Sequence, residues 1–176
     1  MENAQARTLE VLESALNMEV QGRKFYLKAS EDCSNRLAKQ LFERLADEED
    51  AHCKRFEEVY AALKTGQNWP DVELLCDQGK QLRSLFAEAT AMLGSNIQVP
   101  QSELEAIKLA MDMEAKSYSL YHSRGEESTL PAEKRFYEAL AGEERGHHLA
   151  LLDSYEYLSD PAAWFTKSEH WSLDGA

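Results

Sequence analysis

Basic residues are scarce in this chain. Lysine and arginine number 19 against 32 aspartates and glutamates, a formal net charge of −13. A nucleic-acid binder needs a basic face to meet phosphates, and acidic membrane surfaces attract cationic segments, so the deficit argues against both partners. No apolar run reaches the ~18 residues of a membrane span, and no apolar segment of signal-peptide type follows Met1. The expected location is therefore the cytoplasm. Cysteine is sparse as well. Cys33, Cys53 and Cys76 are odd in number, far apart and form no CxxC pair, so neither a disulfide framework nor a thiolate metal site is indicated. β-branched residues are few: Val, Ile and Thr total 12, whereas Ala, Leu and Glu total 68 of 176 residues. The first group favours strands and the second loses little on entering a helix. What remains is an all-α chain, with 43% apolar residues to build a core and a length that suits one domain.

Chain breakers divide it. Leu9, Leu12, Leu16 and Tyr26 mark a helix over about residues 4–31. Cys33-Ser34-Asn35 follows as a turn with capping side chains. Leu41, Leu45, Phe56, Val59 and Leu63 mark a second helix over about 35–65, ended by Gly66. A long crossover, 66–100, contains one short amphipathic stretch from Leu82 to Leu93, stopped by Gly94. Ser102 and Glu105 have capping-box spacing and open a third long helix, expected to end near Ser123, before Gly125. A fourth opens at Pro131, a favoured first-turn residue, and ends at Asp160-Pro161. Two pairs with short turns and one long crossover make a ferritin-like four-helix bundle over residues 1–160. Residues 161–176 form a Trp-containing tail, expected to pack on the bundle or on a partner subunit.

The two halves align without a gap at an offset of 95, where six of eleven positions are identical between Phe42–His52 and Tyr137–His147. At the same offset Glu19 falls on Glu114 and Tyr26 on Tyr121. Each half thus carries a Glu on one helix and Glu-x-x-His on the next: Glu19 with Glu49 and His52, Glu114 with Glu144 and His147. These residues lie on the apolar stripes. Leu45, Glu49, His52, Phe56 and Val59 share one face, and so do Leu140, Glu144, His147, Leu151 and Tyr155. Four carboxylates and two imidazoles are therefore expected inside the bundle. Buried carboxylates cost several kcal/mol unless paired or metal-bound, and no Lys or Arg shares the stripes at that level. Two divalent cations resolve the conflict, and this ligand set is that of a di-iron centre. Mn or Zn would suit the same N/O ligands. A single ExxH is weak evidence, since most lie on solvated faces; two copies in register carry the argument.

Met18-Glu19…Gly22…Phe25-Tyr26, Leu45–His52, Met113-Glu114…Tyr121 and Leu140–His147 resemble the rubrerythrin family of ferritin-like proteins, over about residues 5–158. The tail Asp160-Pro161…Trp164-Phe165…Leu173-Asp174-Gly175 is similar to an extension of stand-alone members. The resemblance implies that Glu49 and Glu144 bridge two irons, that Glu19 and Glu114 are terminal ligands, and that His52 and His147 each serve one iron. It also implies a homodimer. The chain departs from the family in two places. It has no paired CxxC motifs of the rubredoxin type, so electrons would come from an external donor, a rubredoxin-like protein or a flavoprotein. Family members also carry an extra carboxylate one turn after the third-helix Glu; here Ser117 stands there, leaving a simpler six-ligand site.

Other residues have two readings each. Tyr26 and Tyr121 suit a hydrogen bond to a ligand carboxylate or electron supply, and equally core packing. Glu48 and Glu143 suit the second N–H of the opposite half's His, against a solvated position. His148, about 100° round the helix from His147, is not expected to ligate; His122 and His170 read as surface residues and Cys53 as packing. Trp69, Trp164 and Trp171 are expected to dock on the bundle or a second subunit. The functional expectation is a di-iron oxidoreductase reducing hydrogen peroxide or, more slowly, oxygen. Iron binding or storage, and a non-catalytic helical scaffold, are the alternatives.

Overall fold

The computed structural model describes residues 2–72, 77–95 and 97–166. Among the described residues five long helices follow one another: α1 (Glu2–Asp32), α2 (Arg36–Lys64), α3 (Lys80–Leu93), α4 (Gln101–Glu127) and α5 (Pro131–Ser159). There is no strand among the described residues. α1 packs along α2 and α4 along α5, while α3, inside the crossover, lies against α2 and α5. This is the all-α, ferritin-like bundle that the composition and the breakers predict.

Two apolar layers show how the chain is threaded. One contains Tyr26, Leu45, Ile107 and Leu151; the other contains Leu12, Phe56, Tyr121 and Leu140. α1 therefore runs from the second layer to the first, α2 and α4 run from the first to the second, and α5 runs back. Because α2 and α4 point the same way, the chain must return the length of the bundle between them, which is why the crossover is long. Glu19, Glu49, His52, Glu114, Glu144 and His147 sit between the layers, all buried.

Helix ends differ from the sequence expectation in two places. Asn35 caps α2 as expected, its side-chain oxygen accepting from the Ala38 N–H at 3.1 Å. The Ser102/Glu105 capping box, in contrast, is not used: Pro100 stands at the cap of α4 and no side chain bonds there. Glu103 takes the role of anchor instead. Only 4% exposed, it accepts from the Ser34 N–H at 2.7 Å, the Ser34 hydroxyl at 2.6 Å and the Asn35 N–H at 3.1 Å. It so ties the α1–α2 turn to the start of α4. Nor does Gly125 stop α4, which continues to Glu127. A Cβ there would meet Glu138 Cγ at 3.2 Å, so this glycine serves close approach of α5.

Trp69 packs on Phe136 and Tyr137. Residues 161–166 are helical and bring Trp164 against Phe86 and Tyr157, with ring centroids 5.6 and 5.5 Å away. His170, Trp171, the rest of the tail and Cys76 lie outside the described residues. No described helix is long and apolar enough to cross a membrane.

Candidate metal centre

α1, α2, α4 and α5 each deliver side chains to one polar layer, since each carries its Glu or Glu-x-x-His between two apolar positions of the same stripe. The structure brings all six residues together. Glu49, Glu114, Glu144 and His147 offer ligand atoms within 4.8 Å of one another, and Glu19, Glu49 and His52 do the same. Glu49 belongs to both groups. The two imidazoles are nearly parallel, with centroids 5.8 Å apart.

Partners outside this set orient it, and they cross between the halves. His52 Nε2 lies 2.8 Å from Glu143 Oε2, and His147 Nε2 lies 2.7 Å from Glu48 Oε2. The solvated reading of Glu48 and Glu143 is thereby overturned: each carboxylate takes an imidazole N–H, which turns Nδ1 toward the cluster. His52 Nδ1 is 2.9 Å from Glu19 Oε2 and His147 Nδ1 is 3.4 Å from Glu114 Oε2. The Tyr26 hydroxyl donates to Glu114 Oε1 and the Tyr121 hydroxyl to Glu19 Oε1. Each tyrosine thus serves the Glu of the opposite half, not the one on its own helix. His148 Nδ1 bonds the Met111 carbonyl at 3.0 Å, away from the cluster. His122 is exposed and stacks on Tyr118.

Burial dominates the electrostatics. It raises the Glu49 and Glu144 carboxyls well above the ordinary range, and the neighbouring charge of Glu19 or Glu114 adds to the rise. Burial also opposes ionisation of Glu19, but bonds from Glu49, His52 and Tyr121 outweigh it and hold that carboxyl low. Glu114 is held low in the same way, by the charge of His147 and bonds from Glu144, His147 and Tyr26. Both tyrosines are pushed up by burial and then by the carboxylates, so their hydroxyls remain donors.

A cation fits this cage. Glu49 Oε2, Glu114 Oε2, both Glu144 oxygens and His147 Nδ1 are buried and make no hydrogen bond of good geometry; four of the five have only an ion-pair contact, at 3.3 to 3.8 Å, with His52 or with each other. Buried polar groups held this loosely cost free energy, and one atom each of Glu49, Glu114, Glu144 and His147 lies within reach of a single ion. Oxygen and imidazole donors in this number suit iron, manganese or zinc.

Sequence reasoning left other contributors unassigned. Gly22 lies one turn after Glu19, where a Cβ would come 3.3 Å from Glu49 Oε1; the residue at offset 95 is Ser117. Arg44 donates through Nε to Glu48 Oε1 at 3.0 Å and through Nη2 to Gln81 of α3. Gly146 accepts the crossover turn at Gln78-Gly79, backbone against backbone. The signal for the last two was present as breaks in the repeat, at positions 44/139 and 51/146.

The family model described as Rubrerythrin matches residues 10–155, which include all six cluster residues. Neither a curated protein nor a solved structure matches the chain.

Proposed function

The chain belongs to the rubrerythrin family, and from that premise we propose that it is a non-haem di-iron oxidoreductase that reduces hydrogen peroxide, or oxygen more slowly, with electrons from an external donor. The observation that carries the reading is the meeting of four buried carboxyls and two buried imidazoles, in two groups that share Glu49 and whose ligand atoms lie within 4.8 Å of one another. Burying so many ionisable groups together is costly unless a cation joins them.

In this reading Glu19, Glu49 and His52 would hold one ion, and Glu114, Glu144 and His147 the other, with Glu49 close enough to serve both groups. When bound, two ferrous ions supply the two electrons that split peroxide into two waters, with uptake of two protons. The chain's own groups do the rest. Tyr26 and Tyr121 fix one oxygen of Glu114 and Glu19, so that the other faces inward. Glu48 and Glu143 hold the imidazole N–H groups, fixing the tautomer that presents Nδ1. A cleft of about 230 Å³ lined by His52, Glu48 and Glu143 opens on this edge. It brings water, and therefore protons, to the two carboxylates, while the apolar layers exclude water from both ends of the site.

The donor is a rubredoxin-like protein or a flavoprotein, and the working form is a homodimer. Metal content and the visible spectrum of unchelated protein, before and after peroxide, separate iron from manganese or zinc. Rapid mixing of the anaerobic diferrous protein with each oxidant then tests the reaction. The expected result is faster oxidation by peroxide than by oxygen; equal or slower oxidation by peroxide overturns the peroxidase reading. A closed shell of many subunits in light scattering would favour iron storage instead.

A further inference from the structure

The duplicated site is not symmetric in its outer support. Glu48 and Glu143 play the same part, each accepting from one imidazole Nε2. Yet Glu48 also pairs with Arg44 one turn before it, at 3.0 Å. At the matching place in the second half stands Ala139. Among the described residues Glu143 has no ion pair except that with His52. Arg55 lines the same cleft and so do Asp47 and Asp77, but none of the three pairs with Glu143. Arg44 also donates to Gln81 at the start of α3, so its guanidinium has a partner on each side.

A carboxylate that accepts the outer N–H of a ligating imidazole makes the inner nitrogen a stronger donor. The strength of that pull follows the charge on the carboxylate. A guanidinium on Glu48 draws its charge away from His147; no guanidinium or ammonium pairs with Glu143 among the described residues. We propose that Arg44 is a positioning residue that makes the two metal positions unequal, weakening His147 as a ligand relative to His52. The inference rests on the metal-centre reading given above. It assigns to a residue that touches no metal the difference between two otherwise duplicated halves.

The experiment titrates the metal-free, full-length chain with Co(II) by calorimetry. Wild type, R44A, R44Q and R44K are compared. Partners of this kind commonly change metal affinity 10–100-fold, and partial neutralisation belongs at the low end. R44A and R44Q are therefore expected to tighten one of two binding events about tenfold and to leave the other within about twofold. R44K, which keeps the charge, should return the wild-type values. A gain of affinity is the decisive sign, because a residue that merely held the crossover in place would weaken binding when removed. R44Q retains an amide for Gln81, so the test survives if R44A folds poorly. Two Co(II) bound with unchanged or weaker affinity in both neutral variants overturns the asymmetry alone. No Co(II) uptake by wild type overturns the metal reading itself.

Discussion

Replacing Gly146 with alanine should destabilise the fold, although alanine is the better helix former. Gly146 lies inside α5, where the change to alanine is worth about 1 kcal/mol in an open helix. Here the new Cβ would stand 2.4 Å from the Gln78 carbonyl carbon, 2.5 Å from its oxygen and 2.7 Å from the Gly79 nitrogen. Carbon atoms pack at about 3.5–4.0 Å, so the crossover turn must retreat by about 1 Å. All three obstructing atoms are backbone, and the turn is already committed: Gln78 and Gly79 have φ of 53° and 72°. Overpacking costs about 1–3 kcal/mol, and a rigid obstruction belongs at the upper end. The net loss is about 2 kcal/mol, or ~4–8 °C in Tm for a chain of this size. Gly142, one turn earlier on the same helix, is the internal control. Its Cβ would meet only Gln78 Nε2 at 3.8 Å, an ordinary contact, so G142A should gain up to about 1 kcal/mol. Urea and thermal unfolding of the metal-free chain, followed by circular dichroism, measure both. If G146A is as stable as G142A, the close backbone approach is not a feature of the folded protein.

Three further outcomes follow from particular contacts. G22A places a methyl 3.3 Å from Glu49 Oε1; metal-free stability should hold or rise by up to about 1 kcal/mol, while Co(II) affinity falls, and an unchanged affinity would show that Glu49 has room to move. E103A leaves the Ser34 and Asn35 amides without their acceptor, which should cost about 1–3 kcal/mol and speed hydrogen exchange at those two amides first. The Cys33 thiol is pushed up to about 12 by burial and by Glu103. A free thiol ionises near ~8.5, so Cys33 should react with disulfide reagents more slowly in the folded chain than in urea. Because the folded value is the higher one, the protein loses stability as pH rises from about 9 toward 12, and C33A should flatten that alkaline limb.

The sequence and the structure agree where the physics is repetitive. Helical stripes, the paired short turns and the register of Glu19, Glu49, His52, Glu114, Glu144 and His147 all follow from spacing, because a residue flanked by core positions on one face has nowhere else to point. Cross-bundle partnerships are less legible. That Tyr26 serves Glu114 and Tyr121 serves Glu19 depends on how two helix pairs are set against each other, which one-dimensional periodicity does not contain. The Ser102/Glu105 box failed for a related reason. Glu103, its neighbour, has a tertiary task at the Ser34-Asn35 turn, and the helix has already begun at Gln101, behind Pro100, so Ser102 lies inside it.

The differences between the two copies turn out to be as informative as the identities. Within the eleven-residue repeat the halves diverge at 44/139, 47/142 and 51/146, among others. Those three pairs are Arg/Ala, Asp/Gly and Ala/Gly. The last two put glycines one turn apart on α5, under Gln78 and Gly79. The first puts an arginine on α2, tethered to Gln81. All three changes meet the same short stretch of crossover, 78–81. A duplicated bundle has one crossover, not two, so it can lie across only one of the repeated helix faces and grip only the other. The asymmetry around the carboxylate–imidazole cluster thus follows the topology: α2 and α4 run the same way, the chain must return between them, and the returning segment meets Arg44 on one half and glycines on the other.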